Sequence, residues 1–324
     1  MASKRIEFVD LAKGVCITLV VLSHCKVNLP YLAYIRMPLY FLLSGLFFKT
    51  YAGLWNFTLR KINKILIPFL FFYLTSFLIY LLISHFAPGI RINSDVETFY
   101  LLDPLYSRLC VNSPLWFLLS LFFCNIIFYG ISIITKNNYI RAIMVLVLLV
   151  LERILCNYEI VLPLYLNKSL YHLPFFFLGY VLKQTDLLYY NEGGRNKDYI
   201  RLVIYVILFF GLALIPWWRM PKMLTESMSF IISAIGVLAL LFILKPIKKI
   251  PVISYYGRYS IIILCTSFWI YSPLRFVVGC FIQDVNLGNV VVFLITMALE
   301  WLVIKLCLRF LPHVTAQKDC IPVQ

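Results

Sequence analysis

The run "DLAKGVCITLVVLSHCK", residues 10–26, sets Asp10 and Lys13 at the start of an apolar stretch and His24 and Lys26 at its end. An imidazole can take and return a proton near neutral pH, and an ammonium with a neighbouring carboxylate can hold or orient an anionic group. On a helix, the eleven residues from Lys13 to His24 turn about 20° past three full turns and rise roughly 16 Å. The two side chains therefore share one stripe. Asp10, three residues before Lys13, falls within about 40° of the same face. Ionisable groups at the centre of a bilayer cost about 2.5–3.5 kcal/mol each on insertion scales, so they tend to face protein or a wet cavity. Spacing alone leaves two readings open. Either Asp10 and Lys13 are interfacial charges and His24 is a hydrogen-bonded packing residue, or the three form a polar track across the membrane.

The helix that must carry them belongs to a membrane protein. Of the 324 residues, 62% are hydrophobic and 13% charged, and the mean hydropathy is +0.90, more apolar than a soluble domain of this length can hide. The net charge of +15 suggests nucleic acid only in a soluble chain. Here the cations sit in short connections between apolar runs, where they set topology, and nucleic acid is excluded as a partner. The nine cysteines are scattered singly with no CxxC pair, which argues against a disulfide framework and gives no metal site. His24 and Lys26 interrupt the first apolar run, and no small-x-small cleavage site follows, so this run is expected to be a retained span rather than a signal peptide.

At about 20 residues per span, the expected membrane helices are 11–29, 37–54, 65–84, 114–134, 139–156, 168–182, 200–217, 227–244, 253–271 and 289–311. The second is broken by Lys49 and the sixth is short, so eight to eleven spans fit. Of the 29 basic residues, Lys26, Arg36, Arg91, Arg108, Arg153, Lys168, Arg219, Lys222 and Arg275 fall at one set of ends and all others at the opposite set. By the positive-inside rule this predicts ten spans with both termini cytoplasmic. The longest connection, 85–113, is then outside, and "YNEGGRNKD" (190–198) is a turn-forming inner loop. With no internal repeat and no linker, residues 1–324 read as one integral domain, an all-α polytopic membrane bundle.

Other polar groups stand out less sharply. Glu300 lies in the middle of the last span, where a carboxylate needs a proton, a partner on another helix or a cavity; Lys305, five residues on, is off its face. Glu152 with Arg153 is either a local interfacial pair or a sugar contact. Trp116 is either part of an aromatic belt or a stacking surface for a sugar ring. His85 and His172 read as interfacial hydrogen-bonding residues, and His313 lies beyond the last span.

"RIEFVDLAKGVCITLVVLSH" (5–24) resembles the first-helix signature of the membrane-embedded acyltransferase-3 family, in which an Asp is followed by Arg/Lys-Gly and, ten intervening residues later, a His; Asp10, Lys13, Gly14 and His24 match. "MPLYFLLSGLFFK" (37–49), "LRKINKILIPFLFFY" (59–73), "PLWFLLSLF" (114–122), "FFFLGYVLK" (175–183) and "YYGRYSIIIL" (255–264) are similar to later family segments, in family order. The wording is nearest to the fucose 4-O-acetylase-like branch. One departure is that many relatives carry a His in the ninth span, where "YSIIILCTSFW" offers Thr266 or Ser267.

The resemblance implies an acetyl-CoA-dependent O-acyltransferase of the inner cell membrane. It would move an acyl group, usually acetyl, from cytoplasmic acyl-CoA to a hydroxyl of an envelope or exported carbohydrate or lipid-linked glycan, with membrane lipids as surroundings and no metal. Phosphates cannot enter hydrocarbon, whereas the pantetheine arm, roughly 15 Å long, is comparable with the rise from Lys13 to His24. Lys13 with Arg60, Lys61 and Lys64 is then expected to bind the CoA phosphates, His24 to act as general base or acyl carrier, and Asp10 to support Lys13. Trp116, Glu152 and Glu300 are the candidates for acceptor binding. A glycolipid or polysaccharide flippase is the competing class. A non-catalytic scaffold is the third, kept open by the missing ninth-span His.

Overall fold

The computed structural model describes residues 8–87, 98–189 and 195–323, and among these all regular structure is helical. Parts of the 85–113 connection and of the 190–198 loop lie outside the described residues, as do Lys4, Arg5 and Arg91. The helices are α1 (Val9–His24), α2 (Pro30–Leu46), α3 (Leu54–Phe86), α4 (Trp116–Ile134), α5 (Asn138–Asn157), α6 (Leu166–Gln184), α7 (Arg195–Ala213), α8 (Lys222–Ile247), α9 (Pro251–Arg258), α10 (Ser260–Phe281) and α11 (Val285–Phe310).

Every expected span falls on one of these helices, but several boundaries differ. The first stops at His24 rather than 29. Lys26 adopts the left-handed backbone (φ 61°), and the amides of Lys26 and Val27 bond back to Ser23 O at 3.0 Å and Leu22 O at 3.2 Å. That is the two-bond closure of a Schellman motif, with lysine in the place glycine usually takes. Pro30 restarts the chain as α2 seven residues before the expected 37, because proline is preorganised for a first helical turn and lacks only an amide that the turn does not use. Near the other end, the expected 253–271 span is divided at Tyr259 into α9 and α10.

Among the described residues, five segments are long and apolar enough to cross a membrane: Leu54–Phe86, Ser113–Ile134, Leu224–Ile247, Ser260–Phe281 and Val285–Phe310. α1 and α2, with 16 and 17 residues, rise about 24–26 Å, short of the ~30 Å hydrocarbon thickness. α5 has the length but carries Arg141, Glu152 and Arg153. It turns Arg141 and Glu152 inward, and the guanidinium of Arg141 bonds Thr135 O at 2.8 Å and Ser132 O at 3.1 Å, covering the carbonyl end of α4. Leu70, Leu74, Leu78 and Leu81 on α3 form an uncovered stripe at helical spacing, as do Ile143, Val147, Val150 and Ile154 on α5. Such stripes are unfavourable against water and match hydrocarbon. The molecule is a multi-pass membrane protein.

Contacts divide the chain into two compact units. The first takes the described part of Met1–Phe47 together with Leu178–Ser260; the second takes Phe48–Phe177 and Ile261–Gln324. Each is therefore built from two separated stretches. In the first, α1 packs on α2 and α9, and α8 packs on α2 and α7. In the second, the start of α3 is fixed by an aromatic nucleus: Phe48 meets Phe128 edge-on at 4.8 Å, Phe57 stacks on Tyr129 at 4.5 Å, and Phe128 lies 5.4 Å from Phe176. Phe57, Phe128 and Phe176 are wholly buried.

Candidate functional site

In the first unit, the stripe read from the sequence forms on α1. Lys13 and His24 are half-buried, and the two side chains between them on that face, Ile17 and Val20, are 0% and 5% exposed. Between its two half-buried ends the stripe is thus covered by protein. Lys13 Nζ lies 4.4 Å from the centre of the Phe47 ring, a position in which the ammonium gains the attraction of the ring face.

What sets the residues at the start of α1 in place is a close helix crossing. A Cβ on Gly14 would stand 1.9 Å from the carbonyl oxygen of Ile253, and one on Gly257 would stand 1.8 Å from Asp10 O and 2.6 Å from Gly14 N. Only glycine at both positions lets α9 lie against the α1 backbone. The crossing brings Arg258, the residue after Gly257, to 3.8 Å from Asp10 Oδ2. Both side chains are partly exposed, so their attraction is modest. Asp10 is expected from the sequence to support Lys13; Arg258, 248 positions further along the chain, is a partner that the spacing within α1 does not reveal. The Gly-Arg pair in "YYGRYS" was the available signal.

In the second unit, the basic residues 60, 61 and 64 stand where α3 changes pitch. Ile62–Leu66 is a single π-helical turn, a form found most often as an isolated bulge. The three cations have different partners. The guanidinium of Arg60 lies 4.8 Å from the Tyr51 ring centre and Lys61 Nζ 5.4 Å from that of Phe57. Lys64 Nζ is 2.9 Å from Asp319 Oδ1 and donates to Ala316 O at 2.9 Å. Beside it, wholly buried Asn63 donates to Ile321 O at 2.8 Å and accepts from the amides of Cys320 and Ile321. The segment after α11 is thereby clasped to the π turn.

Glu300 is wholly buried on α11 and meets Thr266 of α10, whose Oγ1 is 2.9 and 3.0 Å from the two carboxyl oxygens. Thr266 Oγ1 is also 2.8 Å from Ile262 O, so one hydroxyl proton faces two acceptor groups. Of the options read for Glu300, the partner on another helix is the one found. That partner lies in "YSIIILCTSFW", the stretch singled out in the sequence for offering Thr266 or Ser267. Lys305 lies over Trp301, its Nζ 3.2 Å from the ring centre.

Trp116 and Glu152, separate in sequence, belong to one chain of contacts. Glu152 is 3% exposed and accepts from Arg153 Nε at 2.6 Å. Arg153 lies 4.6 Å from the Tyr171 ring centre, Tyr171 meets His172 edge-on at 5.0 Å, and His172 lies 6.3 Å from Trp116. Lys168 Nζ stands 4.2 Å from the Trp116 ring centre and its carbonyl is 2.8 Å from His172 Nδ1. Lys168 and His172 join this group without having been expected in it; their four-residue spacing on α6, which puts both toward one face, is the signal in the sequence.

Compared with known families, residues 6–305 match the model described as an acyltransferase domain. No curated protein and no solved structure matches the chain. The match takes in the whole helix with Lys13 and His24, runs through both units, and stops five residues after Glu300. The chain belongs to the acyltransferase-3 family and is a membrane acyltransferase.

Proposed function

We propose that this protein is an O-acyltransferase of the inner cell membrane that uses cytoplasmic acyl-CoA, in the ordinary case acetyl-CoA. The acceptor is a hydroxyl of an envelope or exported carbohydrate, free or lipid-linked, and residues 1–324 act as one integral domain with ten spans and cytoplasmic termini. The observation that carries the reading is the protein-covered stripe on α1: Lys13 and His24 on one face, with buried Ile17 and Val20 between them, in a chain whose family match spans both units.

In this reading the hydroxyl oxygen attacks the thioester carbonyl carbon while an imidazole nitrogen of His24 accepts the hydroxyl proton. The C–S bond then breaks, the departing thiolate takes that proton from the imidazolium, and free CoA and the ester leave. Lys13 holds CoA phosphate as a point charge, with Asp10 and Arg258 setting charge balance at that end of α1. Arg60, Lys61 and Lys64 are proposed as a phosphate-binding surface of the second unit. Lys64 is available to it only when Asp319 lets go. Trp116 and Glu152 are assigned to sugar binding through their shared aromatic chain, and Glu300 to the acceptor hydroxyl through Thr266.

General-base assistance is worth about 10²–10⁴ in rate. His24→Ala is therefore expected to lower transfer of labelled acetyl from acetyl-CoA to envelope carbohydrate by about that factor, with protein abundance in the membrane unchanged. Wild-type transfer in His24→Ala would overturn the role. Movement of a glycolipid by purified protein that neither binds nor consumes acetyl-CoA would favour a flippase instead.

A further inference from the structure

In the second unit, the segment after α11 folds back on itself before it meets the π turn of α3. The amides of Gln317 and Lys318 both bond Pro312 O, at 3.0 and 2.9 Å. Thr315, wholly buried, donates to Leu311 O at 2.8 Å, and His313 Nδ1 lies 3.1 Å from Asp319 O. This turn delivers the Asp319 carboxylate to Lys64, and the segment is then held in two ways that differ in kind. The grip of Asn63 is buried and made to backbone: its Nδ2 donates to Ile321 O and its Oδ1 accepts from the amides of Cys320 and Ile321. That grip does not involve the charge of Asp319. The Asp319–Lys64 pair is half exposed, at 41% and 46% of the two side chains, and a pair so placed adds little to holding the segment down. What the carboxylate does is occupy the ammonium. With Ala316 O, it takes two of the three N–H groups of Lys64.

We propose that residues 311–321 form an autoinhibitory strap, in which Asp319 stands where a CoA phosphate oxygen binds Lys64 and competes with it. The proposal rests on the reading of Arg60, Lys61 and Lys64 as a phosphate surface and adds its regulation. Carboxylate and phosphate oxygens are both anionic acceptors for an ammonium, so a phosphate that takes the N–H groups of Lys64 must first displace Asp319. Because Asn63 keeps the segment tethered, the released carboxylate stays at high effective concentration beside Lys64. It retakes the ammonium when the ligand leaves. The strap thereby lowers affinity for acyl-CoA and for the product CoA alike, which raises the donor concentration needed for binding and speeds product release.

The test titrates CoA into the purified full chain in a phosphate-free buffer with non-ionic detergent and follows the heat of binding. Asp319 is exposed and lies outside the helices, so Asp319→Asn leaves the packing in place. This variant is expected to bind CoA with a Kd about two- to fivefold lower than the wild type, the worth of an exposed ion pair. A double-mutant cycle separates competition at Lys64 from a general change in charge. In Lys64→Gln, which is itself expected to bind CoA more weakly, the further change Asp319→Asn is expected to move the Kd by less than about 1.5-fold. An unchanged Kd in Asp319→Asn, or the same tightening with and without Lys64, overturns the strap and leaves the acyltransferase reading standing. Absence of CoA binding from the wild type and from every variant overturns both.

Discussion

At the scale of single residues, side chains of the same type are given opposite properties by their surroundings. Cys110 is buried in the connection before α4, with Sγ 3.1 Å from Tyr165 Oη. Because Tyr165 donates its own proton to Arg108 O, the thiol is the donor in that pair. Burial pushes the Cys110 thiol up to about 12, and it holds the Tyr165 phenol well above its ordinary range too. A raised thiol pKa means less thiolate at any working pH, and the thiolate is the reactive form. Cys110 is therefore almost wholly thiol at neutral and mildly alkaline pH. In intact protein, maleimide is expected to spare Cys110 while reacting with the exposed Cys280 and Cys320; peptide mass analysis after labelling reads this directly. Rapid labelling of Cys110 in the folded protein would contradict the packing described around Tyr165.

At the scale of elements, the crossing of α1 and α9 decides where the charges at the start of α1 sit. Gly14→Ala drives a methyl group into Ile253 O, a backbone atom that cannot rotate away. Overpacking of this kind costs about 1–3 kcal/mol, so the variant is expected to unfold at a lower temperature in detergent and, by moving Arg258 away from Asp10, to lose transfer activity. Gly130→Ala in α4 is the matched control. Nothing lies within 4 Å of its added carbon, and replacing a mid-helix glycine with alanine gains about 0.5–1 kcal/mol. Equal effects of the two substitutions would show that the close crossing is not what holds α9 on α1.

At the scale of the whole molecule, two native cysteines report the topology. Cys280 lies near the end of α10 and Cys320 in the segment after α11, and both are exposed. A single candidate span, Val285–Phe310, separates them. If it crosses the bilayer, the two thiols lie on opposite sides, with Cys320 cytoplasmic under the positive-inside reading. Single-cysteine variants treated with a membrane-impermeant maleimide are expected to label at Cys280 in right-side-out vesicles and at Cys320 in inside-out vesicles. Labelling of both from one side would remove that crossing, and with it the even span count on which cytoplasmic termini depend.

The sequence by itself determined which stretches are helical and that they belong in a membrane. Hydrophobic runs and the positions of Lys and Arg are local properties, readable wherever they occur, and each of the ten expected stretches falls on a helix. It also determined that Lys13 and His24 share a face, because helical periodicity fixes the angle between residues of one helix. Only the tertiary structure decided what meets that helix and its counterparts. The partners Gly14 with Gly257, Asp10 with Arg258, and Lys64 with Asp319 are separated by about 250 residues, and Thr266 with Glu300 by 34. Contacts between helices depend on which faces pack together, and no periodicity within one helix carries that information. Turn chemistry fell between the two. Pro30 carried a start signal that the expected 37–54 boundary did not use, whereas the left-handed Lys26 that ends α1 occupies a position usually marked by glycine, and only the hydrogen bonds of the folded turn revealed it.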